Sequence, residues 1–323
     1  MEKFVVLVNN DGYRKYTRNA AIIGGAYVPA FKNRLIKRAF EIHNSERMNR
    51  LVELPFKWIW YKVCMGGKYS KQDELYLVCY ESFHMSYSRK FLKYVKRTYK
   101  KCKTVFLFSN PVCEYNMRRL MRIRDLYDEV FTFNREDAVN NGFIYCKEEG
   151  FVLPVLGPIE KLTSDVFFVG SDKGRLGLLH SIYEYLSKNG VLCNFYIVGV
   201  PKEKQIYKGI KYNQTISYEE VLENVKGSRC ILEVLQNNQC YMSLRTAEAI
   251  QYHKKLLTTN LEIVDSDVYN PNIIQTVNKA EDIDVNFIKR EISADLYKDL
   301  NIGDFEKFKE FVIKTLRKSE HVV

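Results

Sequence analysis

Short apolar runs alternate along most of the chain with segments whose apolar residues recur every three or four positions. Phe4 to Val8 is a continuous apolar run opening into Asn9-Asn10-Asp11-Gly12, the pattern of a buried strand that ends in a loop. Leu75 to Cys79, Thr104 to Phe108 and Val130 to Phe133 are runs of the same kind. Between them, Phe31, Leu35, Ala39 and Ile42 lie at helical spacing after Pro29, and Phe91 to Lys101 and the basic stretch Met117 to Leu126 read as helices. A short helix is expected from Asn134. The pattern pauses at Lys147-Glu148-Glu149-Gly150, with Pro154 and Pro158 behind it, and then restarts. Asp165 to Val169, Asn194 to Val198, Cys230 to Val234 and Lys255 to Thr258 read as strands, and Leu176 to Leu186 and Leu244 to His253 as helices. Ser217-Tyr218-Glu219-Glu220 has the form of a capping box, a specific helix start. From Asp304 onward Phe305, Phe308, Val312 and Leu316 fall on one face of a last helix.

Strands alternating with helices imply parallel sheets covered by helices on both faces. Two such runs parted by a linker imply an α/β protein of two Rossmann-like domains facing a central cleft. The expected boundaries are residues 1–153 for the first domain and 154–303 for the second, with 304–323 a helix returning to the first. Ligands of such sheets bind beyond the carboxyl ends of the strands. The loops after Val8, Cys79, Phe108, Val169 and Val234 are therefore where chemistry is expected.

Composition narrows the class. With 46% hydrophobic residues the chain is rich enough to bury two cores, which argues against disorder. No apolar run approaches the roughly 18 residues of a membrane span, and the run at Phe4 is too short for a secretory leader, so a cytoplasmic location is expected. The 8 cysteines are scattered without a C-x-x-C, and the 5 histidines form no H-x-x-x-H pair, so no zinc site is expected. The charge is uneven. Residues 1–150 hold 28 Lys+Arg against 16 Asp+Glu, a balance of +12, whereas the remainder holds 22 against 23. A basic half beside a neutral half points to an anionic partner for the first: a lipid headgroup surface, a lipid-phosphate substrate or nucleic acid.

Two segments carry the candidate chemistry. Phe167-Phe168-Val169 runs into Gly170-Ser171-Asp172-Lys173-Gly174-Arg175 before a helix. Gly170 lets a ligand approach the backbone, and Gly174 does the same or eases the turn. Lys173 and Arg175 are expected in the first helical turn, where the positive end of the helix dipole disfavours cations. An anion there resolves the conflict, and helix N-termini bind phosphate. The plain alternative is a strand, turn and helix with solvated cations. The spacing matches neither G-x-G-x-x-G nor a P-loop. Ser243-Leu244-Arg245-Thr246-Ala247-Glu248 poses the conflict again, with Ser243 as helix cap and Arg245 in the first turn. Glu248 shares a face with Arg245, and a carboxylate can accept from both hydroxyls of a ribose. The alternative is an internal Arg245–Glu248 ion pair.

Taken in order, these segments resemble a family. Phe168-Val169-Gly170 with following cations, the Ser217 helix leading into Cys230-Ile231-Leu232-Glu233, then Arg245 to Ile250 and Lys254 to Thr259 resemble the donor half of bacterial GT-B glycosyltransferases of the capsule and lipopolysaccharide type. Asp128 to Asn134 looks like the last strand of that family's acceptor half. The resemblance covers about residues 125 to 260. It implies a UDP- or GDP-sugar donor bound at Gly170, Lys173, Gly174, Arg175, Glu233, Arg245 and Glu248, with Glu248 on the ribose. Many retaining members carry a second glutamate eight residues before that one. Here the position is Cys240, and Glu233 lies farther back. Such enzymes hold the diphosphate with cations and helix dipoles, so neither metal nor cofactor is expected, and Asp265-Ser266-Asp267 reads as a surface loop.

An inverting transferase needs a base for the acceptor hydroxyl, and Asp11, Glu81 and His84 follow first-domain strands. On the membrane or acceptor side stand Trp58, Trp60, Arg118, Arg119 and Arg122. Trp58-Ile59-Trp60-Tyr61 is either an interfacial aromatic cluster or a core strand. The expected activity is sugar transfer to a glycan, lipid-linked and destined for surface polysaccharide, with peripheral contact at the inner face of the plasma membrane. A polysaccharide pyruvyltransferase-like enzyme is the second enzymatic reading. A basic nucleic-acid-binding protein is the third, and the lack of any RNP, KH or helix-turn-helix signature sets nucleic acid aside as a partner.

Overall fold

The computed structural model describes residues 1–7, 26–27, 33–52, 54–65, 69–81, 88–147, 153, 161–236, 242–300, 302–303 and 305–318. The chain divides into two compact units, Met1–Pro154 with Asp304–Val323, and Val155–Gly303.

In the first unit β1 (Glu2–Leu7), β2 (Ala26–Tyr27), β3 (Glu74–Tyr80), β4 (Lys101–Phe108), β5 (Glu129–Thr132) and β6 (Ile144–Tyr145) form a parallel sheet in the order β2-β1-β3-β4-β5-β6. Leu75 to Cys79 and Val105 to Phe108 are wholly buried. Both faces of these strands are covered, which is why they read as unbroken apolar runs. The helices are α1 (Arg34–Asn44), α2 (Glu46–Leu51), α3 (Lys57–Cys64), α4 (Arg89–Thr98), α5 (Glu114–Met121) and α6 (Arg135–Asn141). Phe91, Leu92 and Val95 turn α4 into the core, and Ser88 caps its start by accepting from the Phe91 N–H at 3.2 Å.

Three expectations are corrected here. Leu35 and Ile42 do not face inward on α1; Phe40 does, while Leu35 and Ile42 stand in solvent. Trp58 to Tyr61 belong to a helix, not a strand, and Trp60 turns inward against Phe40 and His43 with ring centroids 5.5 and 5.7 Å apart. The basic helix expected over Met117 to Leu126 stops at Met121 and resumes as a 3₁₀ turn over Arg124–Leu126. Arg89 explains the break, because its guanidinium donates to the Arg122 carbonyl at 2.7 Å and grips the Asp125 carboxylate. A side chain thus satisfies a carbonyl that the helix leaves open.

The last helix, α11 (Phe305–Lys318), packs on this unit. Phe305 and Phe308 each meet Phe4 edge-on at 5.9 Å, and Phe311 meets Phe131 at 5.8 Å. At its far end the Leu316 carbonyl accepts from the Lys103 ammonium at 3.0 Å, and Arg317 donates to the Tyr76 hydroxyl at 3.0 Å.

In the second unit β7 (Ser164–Ser171), β8 (Cys193–Val198), β9 (Lys211–Tyr212), β10 (Ser228–Glu233), β11 (Lys255–Thr258) and β12 (Ile274–Thr276) form a second parallel sheet, ordered β12-β11-β10-β7-β8-β9. The chain lays strands to one side of β7 and then returns to its other side with β10, so the strand order reverses between β7 and β10. The helices are α7 (Leu176–Lys188), α8 (Tyr218–Lys226), α9 (Leu244–Gln251) and the short α10 (Val285–Lys289). The capping box at α8 is formed: the Glu220 N–H donates to the Ser217 hydroxyl at 3.2 Å, and the Ser217 N–H to the Glu220 carboxylate at 2.7 Å. At the amino ends of the strands two buried lysines clamp helix ends. Lys254 donates to the Lys226 and Ser228 carbonyls at 2.6 and 2.8 Å, and Lys255 to the Ile288 and Arg290 carbonyls. Cations are favoured at helix C-termini.

Phe308→Ala is expected to cost about 3–5 kcal/mol, as for a buried aromatic cut to alanine. Both tryptophans, Trp58 and Trp60, lie in the first unit, so the loss should appear in urea unfolding followed by tryptophan fluorescence. A second outcome concerns pH. Burial lowers Lys254 from 10.5 to about 8. Between those values the unfolded chain binds the extra proton, so this residue makes stability rise with pH across that window, by on the order of 3 kcal/mol. Lys254→Met should flatten the rise, as measured by denaturant midpoints from pH 7.5 to 10.5; an unchanged slope would assign the rise elsewhere.

Candidate functional site

The carboxyl ends of β7 and β10 flank the point where strand order reverses, the place where open α/β sheets bind ligands. Arg175 spans it. Its guanidinium donates to the Ser171 carbonyl at the end of β7, at 2.8 Å through Nη2 and 3.2 Å through Nε, and to the Val234 carbonyl just past β10. Gly170 makes the room: a Cβ there would lie 2.9 Å from Arg175 Nη2 and 3.2 Å from the Phe168 ring. The glycine expected to admit a ligand therefore admits a side chain of the chain itself. Burial lowers the Arg175 pKa, opposed by the nearby Asp172 and Glu233 carboxylates.

Lys173 and Arg175 precede α7 rather than entering its first turn. Lys173 and Gly174 both have positive φ, 45° and 84°, and form the tight turn before Arg175 at the cap. Asp172, which sequence reasoning passed over, accepts from the Gly174 and Leu176 N–H groups at 3.1 and 3.0 Å. The helix start thus already meets an anion. An aspartate four residues before the first residue of a helix is the signal that marks it in the sequence.

At α9 the other conflict is also met internally. Ser243 caps the helix, accepting from the Arg245 N–H at 2.9 Å, and the Arg245 guanidinium pairs with Glu248 Oε2. Glu248 Oε1 accepts from the Tyr218 hydroxyl at 2.9 Å. The Glu248 side chain is 0% exposed and that of Arg245 20%.

Glu233 links the two segments. It ends β10, is buried, and accepts from the hydroxyls of Ser243, Thr246 and Thr258, with Thr246 at 3.0 Å. A contact path therefore runs from Gly170 through Arg175, Val234, Glu233 and Ser243 to Arg245, Glu248 and Tyr218. Tyr218, Thr246 and Thr258 escaped sequence reading because their partners are far along the chain. Lys173 is exposed beside this path.

In the first unit Glu81 directly follows β3; its N–H donates to the Leu107 carbonyl at 3.0 Å and its carboxylate accepts from Asn110. Asp11 and His84, and with them Cys240, lie outside the described residues. Arg118 pairs with Glu114 at 3.4 Å, Arg119 lies over the Tyr115 ring at 5.4 Å, and Arg122 is exposed, so these three stand on the outer side of α5. Asp265 closes a 3₁₀ turn over Leu261–Asp265. Among the described residues no three His, Cys, Asp or Glu side chains gather as metal ligands.

No family model matches the chain, and no curated protein matches it either. Solved structures do. A DNA-modifying β-glucosyltransferase, solved with and without its substrate uridine diphosphoglucose, superposes over 99% of this chain and 97% of its own, with 16% identity and a TM-score of 0.50. A T4 phage β-glucosyltransferase structure matches over the same shares at 15% identity and a TM-score of 0.46. TarM matches 79% of this chain at 12% identity and a TM-score of 0.46, and the chain spans 54% of TarM's length. The first of these likenesses establishes the fold: α/β, two parallel sheets, of the GT-B type.

Glu233→Gln replaces one acceptor by a donor in front of three hydroxyls. It is expected to destabilise the second unit by about 1–3 kcal/mol. Circular dichroism should register the loss, while tryptophan fluorescence, which reports the first unit, should move little. Equal shifts in both signals would mean that Glu233 acts beyond its own unit.

Proposed function

We propose that this chain is a glycosyltransferase of the hexosyltransferase class, whose donor is a nucleotide diphosphate sugar held by the Val155–Gly303 unit. The observation that carries this is Arg175, lying across the strand-order reversal and joined through Glu233 to the start of α9. The GT-B fold, and a neighbour that takes uridine diphosphoglucose as substrate, support it. Lys173, Arg175 and Arg245 face the diphosphate, and Glu248 accepts from the ribose hydroxyls. Transfer moves the glycosyl carbon from a diphosphate oxygen to an acceptor oxygen. The cations stabilise the leaving diphosphate as its charge grows, and a base takes the acceptor proton. Glu81, fixed at the carboxyl end of β3, is the described candidate for that base. The acceptor is a glycan, lipid-linked and part of surface polysaccharide, used on the cytoplasmic side; the basic charge of the first unit supports an anionic acceptor.

A thermal-shift panel of UDP-, GDP- and other nucleotide sugars tests this directly. A donor at a hundred times its dissociation constant stabilises the fold by about 2.7 kcal/mol. Glu248→Ala should weaken UDP, or whichever nucleotide binds, by on the order of 1 kcal/mol and affect its 2′,3′-dideoxy analogue far less. Lys173→Ala should weaken the diphosphate and leave the bare nucleoside unchanged; Lys173 is the cleaner probe, since Arg175 also holds two strand ends together. No stabilisation by any nucleotide sugar, or equal loss of ribo and dideoxy forms in Glu248→Ala, would refute the assignment.

A further inference from the structure

The first unit carries an apolar surface that its own core does not use. α1, α2 and α3 follow one another and are fastened into one layer. The Asn49 amide donates to the His43 carbonyl at 2.9 Å, Lys57 donates to the Asn49 side chain, and the Phe40 and Trp60 rings meet at 5.5 Å. Phe40, Trp60 and Tyr61 point to the core side of this layer. On α1, Leu35 and Ile42 lie about 140° and 160° around the helix from Phe40, at 100° per residue. On α3, Trp58 lies about 160° from Trp60 by the same rule. The opposite side of the layer is therefore the apolar one. Leu51 is 82% exposed, Leu35 77%, Phe56 64% and Trp58 49%, with Ile42 and Ile59 beside them.

Cations are interleaved with these side chains. Arg34 and Arg38 are exposed on α1 next to Leu35 and Ile42, and the Lys62 ammonium sits 4.9 Å over the Trp58 ring. Residues 33–65 contain 7 Lys+Arg and 3 Asp+Glu, within a half of the chain, residues 1–150, that holds 28 against 16. Among the described residues no helix is long and apolar enough to cross a membrane.

We infer that the outer side of the α1–α3 layer docks on an anionic lipid bilayer, lying in its interface. Protruding Leu, Ile, Phe and Trp side chains with Lys and Arg among them are what an interfacial helix presents, the apolar groups entering the acyl boundary and the cations meeting phosphate headgroups. Trp58 occupies the amphipathic level typical of tryptophan. Nucleic acid accounts for the cations but not for the aliphatic side chains, which a phosphate backbone leaves in water. A bilayer also receives side chains scattered over three short helices without a matching shape. This surface is on the first unit and does not depend on the nucleotide site.

The test is flotation of the whole chain with phosphatidylcholine vesicles and with vesicles containing phosphatidylglycerol, at low and high salt and without nucleotide. Strong recovery on the anionic vesicles is expected, falling several-fold on neutral ones and at high salt. Leu51→Ser with Trp58→Ser should cut recovery at least five-fold with an unchanged melting temperature, and Arg34→Gln with Arg38→Gln should cut it on anionic vesicles alone. A blue shift of tryptophan emission on anionic vesicles, lost in Trp58→Phe, is a second readout that keeps an apolar ring in place. Equal recovery of wild type and the Leu51/Trp58 variant, no emission shift on binding, or displacement from vesicles by duplex DNA that the apolar variant still binds, would each overturn the inference.

Discussion

A carboxylate out of water is tolerated only when donors meet its oxygens, and Glu233 at the end of β10 is such a group. The hydroxyls that meet it come from three places: Ser243 at the cap of α9, Thr246 in its first turn and Thr258 at the end of β11. Satisfying one buried charge therefore fixes where α9 begins relative to two adjacent strands. The backbone confirms the tie, with the Thr259 N–H donating to the Glu233 carbonyl at 3.1 Å and the Leu235 N–H to the Thr259 hydroxyl at 2.8 Å. Arg175 reaches the next carbonyl along from the opposite strand, and Gly170 exists in a form that leaves it space. The α9 part of the candidate donor site hangs on this junction. Arg245 and Glu248 take their positions from α9, and α9 takes its own from Glu233.

The site is balanced in formal charge, three cations (Lys173, Arg175, Arg245) against three carboxylates (Asp172, Glu233, Glu248). Its surface is not. Glu233 and Glu248 are buried and Asp172 is occupied by two N–H groups, while Lys173 is exposed and Arg245 and Arg175 are partly so. Glu233 and Glu248 are turned into the protein and hold its parts together; Lys173 is turned out, while Arg175 and Arg245 are only partly exposed and each also holds an oxygen of the protein. An approaching anion meets the outward set first. The demand of the helix dipole at α7 is already answered by Asp172, so the cations before the helix are no evidence for an anion on that ground.

Much of the fold was legible because parallel sheets covered on both faces leave a plain mark. β3, β4, β7, β10 and β11 each contain a short apolar run, and the Ser217 capping box marks α8 to the residue. Periodicity failed where apolar residues face solvent. Leu35 and Ile42 keep helical spacing on α1 without facing the core, and Trp58 to Tyr61 carry a strand-like composition within a helix. The amphipathic rule assumes that the apolar face is the buried one, and on α1 Leu35 and Ile42 break that assumption. At the site the residue types were legible and their partners were not. Arg245 and Glu248 are one helical turn apart and pair by local geometry, whereas Tyr218 reaches Glu248 across 30 residues of chain and Thr258 reaches Glu233 across 25. Such contacts are set by sheet order, which strand patterns alone leave open.

If Glu248 holds a ribose, its burial decides how the binding works. Its side chain has no exposed surface, and its two oxygens already face the Tyr218 hydroxyl and the Arg245 guanidinium. A sugar hydroxyl reaches it only by taking the place of one of them. Tyr218 is the cheaper to displace, since its single bond from a neutral hydroxyl to the carboxylate lacks the second charge of the Arg245 pair. Its loss also leaves the guanidinium to hold the carboxylate in place. The ribose then gains only the difference between its own hydrogen bonds and the one it replaces, on the order of 1 kcal/mol rather than the full strength of a charged bond. Nucleotide affinity would accordingly depend more on the outward cations than on the sugar ring. Arg245 would then serve both: it fixes the carboxylate from one side, and its remaining N–H groups would be left for the phosphates.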